Sequence, residues 1–347
     1  MSNKRRRFLR SMSAGVLAAP ALAALHATPV SAAHRHRQAD DSQFPSTLAL
    51  ANIEVDGRWH LAARVAGGVL DITSAASAFG RELPYSTDAL FQHGGGSAVE
   101  RLVPRVMASG RLADFVYAPE QVKFGAAVLA PEKIVCVGLN YRKHAQEVGA
   151  KVPETPILFN KFNNALLGHG AHLHLPVAVA KAFDHEVELV IVICKTARAV
   201  TEDAALDYVA GYCTGNDMSA RDLQRRSSQF MLGKSCDGFA PLGPWLVGRA
   251  LVPNPNALTI SCDVNGERRQ NSNTADMVFN CAQLVSYVSQ HMTLRPGDII
   301  FTGTPEGVIA GKPADKQVWL RPGDVVSCEL EGLGELRFTL ALTTYRV

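Results

Sequence analysis

The sequence predicts a strand-rich α+β fold, with a small N-terminal α+β module ahead of a larger body, and three observations carry that prediction. Short apolar runs bounded by Gly, Pro, Asn-Gly and Asp-Gly punctuation outnumber segments with a helical period. The helical segments do not alternate strictly with the strands, which disfavours a doubly wound nucleotide fold. Neither G-x-G-x-x-G nor G-x-x-x-x-G-K-[ST] occurs at a strand-to-helix joint. At 347 residues, 47% hydrophobic and 19% charged, the chain can bury a substantial core and is not a disordered, collagenous or coiled-coil sequence.

Residues 1–32 read as an address. Lys4, Arg5, Arg6, Arg7 and Arg10 precede an alanine-rich run, Ser11 to Leu25, which is interrupted by Pro20 and short for a bilayer span. Arg5-Arg6-x-Phe8-Leu9-Arg10 resembles the bacterial twin-arginine signal, and Val30-Ser31-Ala32 offers small residues for cleavage after Ala32. The expected destination is the bacterial periplasm or exterior, with no membrane span left after cleavage. The formal net charge of +3 resides in this segment; without it the chain has 30 basic against 32 acidic residues. So neutral a body gives no electrostatic case for nucleic acid or an anionic membrane surface. Residues 33–45, with His34 and His36, read as a flexible polar leader rather than a metal site.

From 48 to about 72, short strands alternate with an Asp-Gly and a Gly-Gly turn, and helices are predicted near 85–92 and 97–110. This module, 46–119, ends near Pro119, and the larger domain takes 120–347. Its strands are predicted at 133–138, 186–194, 208–215, 245–248, 257–264, 325–330 and 335–341, with helices near 140–149, 218–230 and 279–291. Val264-Asn265-Gly266-Glu267 is a hairpin turn, and L-R-P-G-D at 294–298 and again at 320–324 suits a type II turn before a strand. The seven cysteines form no Cys-x-x-Cys and read as structural.

Phe183-Asp184-His185-Glu186-Val187-Glu188-Leu189 runs from acid into a buried strand, so Glu186 and Glu188, two apart, project from one face. Adjacent anions repel and are costly to bury unless a cation joins them. Solvated carboxylates at a strand end explain the same motif equally well. Asp217, in Gly215-Asn216-Asp217-Met218-Ser219-Ala220-Arg221-Asp222-Leu223-Gln224, closes an apolar strand, with Arg221 and Gln224 at i+4 and i+7 on one helical face. A helix cap is the plain alternative for Asp217. Three carboxylates without a cysteine suit a hard ion, Mg²⁺ or Mn²⁺ first and Ca²⁺ as an alternative, able to chelate a 2-oxo acid or β-diketone.

E-V-E-L, G-N-D-M-S-A-R-D-L-Q, G-K-S-C-D-G-F-A-P-L-G-P (233–244), S-N-T-A-D-M (272–277) and G-T-P-E-G (303–307), in that order over roughly 130 to 345, resemble the fumarylacetoacetate hydrolase family. The resemblance implies a mixed β-sandwich roll, a homodimer, and one divalent cation held by Glu186, Glu188 and Asp217. His144 and Glu147, i and i+3 on the predicted helix, match the family's catalytic dyad; as residues alone they would read as a surface pair. Lys234 matches the lysine that stabilises an enolate or oxyanion. Arg221 and Gln224 match substrate-contacting groups, and Gly303 with Thr304 matches a loop binding the distal part of the substrate. Where the larger eukaryotic-type hydrolase has a further acidic ligand, seven residues before the dyad histidine, this chain has Val137, which points to a three-carboxylate, acylpyruvate hydrolase-like site. His169, His172 and His174 read as loop histidines, and His185 as a support for the carboxylates or turned away from them.

The leading expectation is C–C bond hydrolysis of a 2,4-dioxo acid by His144-activated water, through a metal-bound enolate. A decarboxylase, an isomerase or tautomerase, and a hydratase at the same site are the alternatives. A periplasmic binder that keeps the metal for ligand capture stands as a different class.

Overall fold

The computed structural model describes residues 44–342. The signal segment, its cleavage site and nearly all of the leader, His34 and His36 included, lie outside them.

The chain opens with a meander, β1 (Ala49–Val55), β2 (Arg58–Val65) and β3 (Gly68–Asp71). The Asp56-Gly57 and Gly67-Gly68 turns that join these strands carry the positive φ that tight hairpins need. Asp71 caps α1 (Ile72–Ala78) by accepting from the Ser74 N–H, and Ser86 caps α2 (Thr87–His93) the same way through Ala89. The amphipathic helix α3 (Gly96–Met107) buries Val99, Leu102, Val103 and Val106. Although 46–119 reads from the sequence as a module of its own, β1 pairs antiparallel with β9 (Leu246–Gly248) of the larger body, Ala49 opposite Val247. Its strands thus extend the same sheet.

That sheet has eleven strands. From β1 and β9 it continues through β8 (Val209–Asn216), β7 (Val187–Ile193), β12 (Ile299–Phe301), β4 (Ile134–Gly138) and β5 (Ile157–Lys161). Every residue of β7 and β8 is buried, because the second sheet covers them. This five-stranded sheet runs in the order β11 (Glu267–Asn273), β10 (Thr259–Val264), β13 (Val325–Leu330), β14 (Gly334–Leu342) and β6 (His172–Leu175). The pair makes a sandwich of mixed sheets flanked by helices. A continuous apolar run, V-E-L-V-I-V-I, is what a strand buried on both faces requires, and Glu188 is its one charged residue.

Helix α4 (Arg142–Glu147) is shorter than expected, and 218–230 is not one helix. Ser219 and Ala220 pair with Asp184 and Phe183 instead, so that only two single-turn helices form, α5 (Arg221–Gln224) and α6 (Met231–Lys234). The intervening Arg225–Gln229 is polar throughout and gives a helix no apolar face to bury. The expected terminal helix is α7 (Cys281–His291), with an Asn280–Gln283 capping box. All seven cysteines are unpaired, five of them buried. Among the described residues no helix is long and apolar enough to cross a membrane.

Candidate active site

Three carboxylates meet where the two central strands end. Glu186 precedes β7, Glu188 is its second residue, and Asp217 follows β8 directly. Pairing of Val187 with Asn216 and of Glu188 with Gly215 brings them together, and an Asp217 N–H bond to the Glu186 carbonyl (2.8 Å) extends the contact past the ladder. One oxygen of each lies within 4.8 Å of the others, and all three side chains are buried. Asp217 is not on a helix, so the expected i+4 and i+7 relation to Arg221 and Gln224 does not exist; Ser219–Ala220 is extended.

Buried carboxylates need partners. Lys234 Nζ lies 2.5 Å from Glu186 Oε2 and 2.6 Å from Asp217 Oδ2. Lys161, at the end of β5, also donates to Asp217. Arg221 gives Nη2 to Glu186 (2.5 Å), Nε to Asp184 (2.9 Å) and Nη1 to Gln224 Oε1 (3.0 Å). Burial alone would raise the Glu186 pKa, but Arg221 and Lys234 outweigh it and hold the carboxyl well below the usual range. The same balance raises Lys234, whose burial is outweighed by Asp217 and Glu186. Glu188 differs. Its Oε2 accepts the Gly303 N–H (2.7 Å), but among the described residues it has no ion-pair partner. Burial, then the charges of Asp217 and Glu186, push its carboxyl well above the ordinary value.

Four buried carboxylates, Asp184, Glu186, Glu188 and Asp217, therefore face three buried cations, Lys161, Arg221 and Lys234, one cation short of a formal match if all four ionise. A divalent cation fits this donor set: three hard oxygen ligands, one of them in need of a positive neighbour to ionise.

Beside the carboxylates, His144 Nδ1 lies 3.1 Å from Glu147 Oε2, one turn along α4. Glu147 Oε1 accepts the Gly307 N–H (2.9 Å). With Nδ1 held by a carboxylate, Nε2 is the nitrogen left for chemistry. The Asn140 amide ties the start of this helix to two distant segments of the fold, donating to the carbonyls of Phe279 (3.0 Å) and Thr302 (2.7 Å) and accepting the Phe279 N–H (2.9 Å).

One loop serves both halves of the site. Gly303 sits at φ +99°, where a Cβ would meet the Asn140 Cβ at 2.7 Å, so the turn after β12 admits only glycine. Asp184 accepts from the N–H groups of Ile309 (2.8 Å) and Ala310 (2.9 Å). Gln270 donates to the Thr304 hydroxyl (2.8 Å), which in turn donates to the Val187 carbonyl (2.9 Å). The Gly303 N–H and Thr304 hydroxyl, expected to hold a substrate, are thus used inside the protein.

Every site residue expected from the sequence except Gly303 lines a single cleft of about 640 Å³. Val137, at the further-ligand position, is buried in β4 and lines it too. Phe159 and Phe230 form an edge-to-face aromatic wall, 5.6 Å between centroids, with Lys234 Nζ 5.2 Å from the Phe159 ring. His185 lies outside the carboxylate cluster, its pKa lowered by burial, with Nδ1 on Gln270 Oε1 (3.1 Å). His172 and His174 are exposed on β6, while His169 accepts the Arg337 N–H (3.2 Å). Lys161 is the residue of the carboxylate cluster that the sequence did not single out; nothing local distinguishes I-L-F-N-K from any other strand.

Comparison with known proteins agrees with this geometry. The fumarylacetoacetate (FAA) hydrolase C-terminal family matches residues 133–341. The chain is 46% identical over 215 residues to the mitochondrial oxaloacetate tautomerase Fahd2a of Rattus norvegicus, covering 62% of this chain and 68% of the relative. The fumarylacetoacetate hydrolase of Exiguobacterium antarcticum superposes with a TM-score of 0.70 at 31% identity, over 85% of this chain and all of that one. The 2-hydroxyhepta-2,4-diene-1,7-dioate isomerase of Mycobacterium marinum gives 0.64 at 30% identity, over 86% of this chain and all of that one. A hydrolase and an isomerase thus share this chain's architecture, a tautomerase is similar to it in sequence, and this chain belongs to the fumarylacetoacetate hydrolase family.

Proposed function

We propose that this protein is a divalent-metal-dependent enzyme that interconverts the keto and enol forms of a small 2-oxo acid, with His144 as the group that moves the proton. The observation that carries the reading is the His144–Glu147 pair, at 3.1 Å, opening onto the same cleft as the buried three-carboxylate cluster. Glu186, Glu188 and Asp217 would hold the ion, which supplies Lewis-acid polarisation of the substrate's oxygens.

The chain's own residues do the rest. Glu147 orients the imidazole and stabilises it when protonated, so that Nε2 can take a proton from the carbon next to the carbonyl and return one to carbon or oxygen. Lys234 has three N–H donors and commits two to Glu186 and Asp217, leaving one for the negative charge that develops as the proton leaves. Arg221 gives three of its five N–H donors to Asp184, Glu186 and Gln224 and so fixes Glu186 and Gln224. The 46% identity to a tautomerase weights the reading toward proton transfer without bond cleavage.

C–C bond hydrolysis of a 2,4-dioxo acid, the leading expectation from the sequence, is kept as a second reading because a cleft of about 640 Å³ is roomy for a four-carbon acid and a hydrolase superposes on it. Mass spectrometry of the products decides. No change in mass with loss of enol absorbance supports the tautomerase, two fragments with one added water the hydrolase, and loss of CO₂ would contradict both. Neither turnover nor binding across a panel of 2-oxo and 2,4-dioxo acids would contradict the assignment to this substrate class.

The proposal includes homodimer formation and export of the folded enzyme to the periplasm. A fusion of residues 1–35 to a reporter active only after folded export should give periplasmic signal that Arg5→Lys with Arg6→Lys abolishes, because the receptor reads the guanidinium pair. Signal unchanged by the double substitution contradicts the twin-arginine route.

A further inference from the structure

Most of the cations lining the cleft are already spoken for. Arg221 is shared by Asp184 and Glu186, and Lys234 by Glu186 and Asp217. Arg225 is the exception: it lines the same cleft, is exposed at its rim, and forms no ion pair among the described residues. Its placement follows from the backbone. The Arg225 N–H bonds the Arg221 carbonyl (3.1 Å), so the chain completes one helical turn and sets Arg225 on the face of Arg221, one turn further out. Residues so related stand about 5–6 Å apart at Cβ.

The charge balance gives that placement a use. With all four carboxylates ionised around a divalent ion, the buried cluster and its three cations sum to one positive charge, enough for a single substrate carboxylate. A second carboxylate on the same molecule needs a further cation. Ser227 and Ser228, next along the exposed polar connection from Arg225, line the cleft as well.

We propose that Arg225 binds the distal carboxylate of a 2-oxo dicarboxylic acid and so selects diacids over monoacids. This rests on the 2-oxo acid reading above and narrows it to a substrate class. Arg225 is a specificity-determining residue; the proton transfer belongs to the groups below it.

The test is calorimetric binding of 2-oxoglutarate and 2-oxopentanoate, which differ only in the distal carboxylate, to the Mg²⁺-supplemented full chain, wild type and Arg225→Met. The wild type should prefer the diacid. Arg225→Met should weaken the diacid roughly 10–100-fold, the scale of a charge-assisted hydrogen-bonded pair, and leave the monoacid within about twofold. Arg225→Lys should recover part of the loss, since it restores the charge without the guanidinium fork. Equal weakening of both acids, or of neither, overturns the assignment while leaving the 2-oxo acid reading intact. A wild type that binds the monoacid and diacid equally also overturns it. Failure of the wild type to bind either acid overturns the underlying reading and this assignment with it.

Discussion

The floor and the rim of the cleft are built on opposite principles. On the floor, Glu186, Glu188 and Asp217 stand at the ends of two fully buried strands, with Glu186 and Asp217 each held by two cations. At the rim, Arg225 to Gln229 is an exposed polar connection between two single-turn helices. A group anchored by a sheet can be placed closely enough to hold an ion and direct a proton, while a short connection can change its side chains without disturbing the core. On the proposed reading the chemistry is set in the sheet, and the choice of substrate above it.

Substitutions can break this contrast. The largest effect is expected on the floor: Glu188→Ala or Asp217→Ala should remove the bound ion and all measurable turnover, because two carboxylates are too few ligands for a hard cation. Metal analysis and activity on the same samples check it, and full occupancy with activity in both variants would sink the ligand assignment.

Lys161→Met comes next. It removes one cation from Asp217 and should destabilise the metal-free protein by about 3–5 kcal/mol, the usual cost of breaking a buried ion pair. A divalent ion supplies the missing charge, so the loss should shrink when denaturation is repeated with saturating Mg²⁺. An equal loss in both conditions would mean that Lys161 and the ion do not share Asp217.

Gly311→Ala should act on the dyad with little cost in stability. A Cβ there would come within 2.4 Å of Glu147 Cδ, the end of a flexible side chain, and so displace the carboxylate from His144. Turnover should fall about 10–100-fold, as for a displacement on the ångström scale, with metal content unchanged. Unchanged turnover would show that Glu147 does not need its observed position.

What the sequence revealed follows the same division. The three clustered carboxylates were legible because each sits in a contiguous motif that fixes its neighbours, as Glu186 and Glu188 do two apart on one strand. Turn chemistry placed most strands to within a residue or two; 325–330 is an example. Pairings distant in sequence were not legible. Lys161 meets Asp217 across 56 positions, and β1 joins β9 across nearly 200, so neither leaves a local trace. The helix expected at 218–230 failed because the pairing of Phe183 and Asp184 with Ala220 and Ser219 overrides the local period. The resemblance to a family supplied the roles of His144 and Lys234, which their spacing alone does not show.

The central claim is that His144 moves a proton while the carboxylates hold the ion. The most direct test is the rate of deuterium uptake at C3 of oxaloacetate in D₂O, followed by NMR at matched metal occupancy for the wild type and His144→Ala. The account predicts enzyme-catalysed uptake by the wild type and a loss of roughly 10²–10⁴-fold in the variant, the scale of a missing general base, with metal content unchanged. Uptake by His144→Ala at close to the wild-type rate would contradict it.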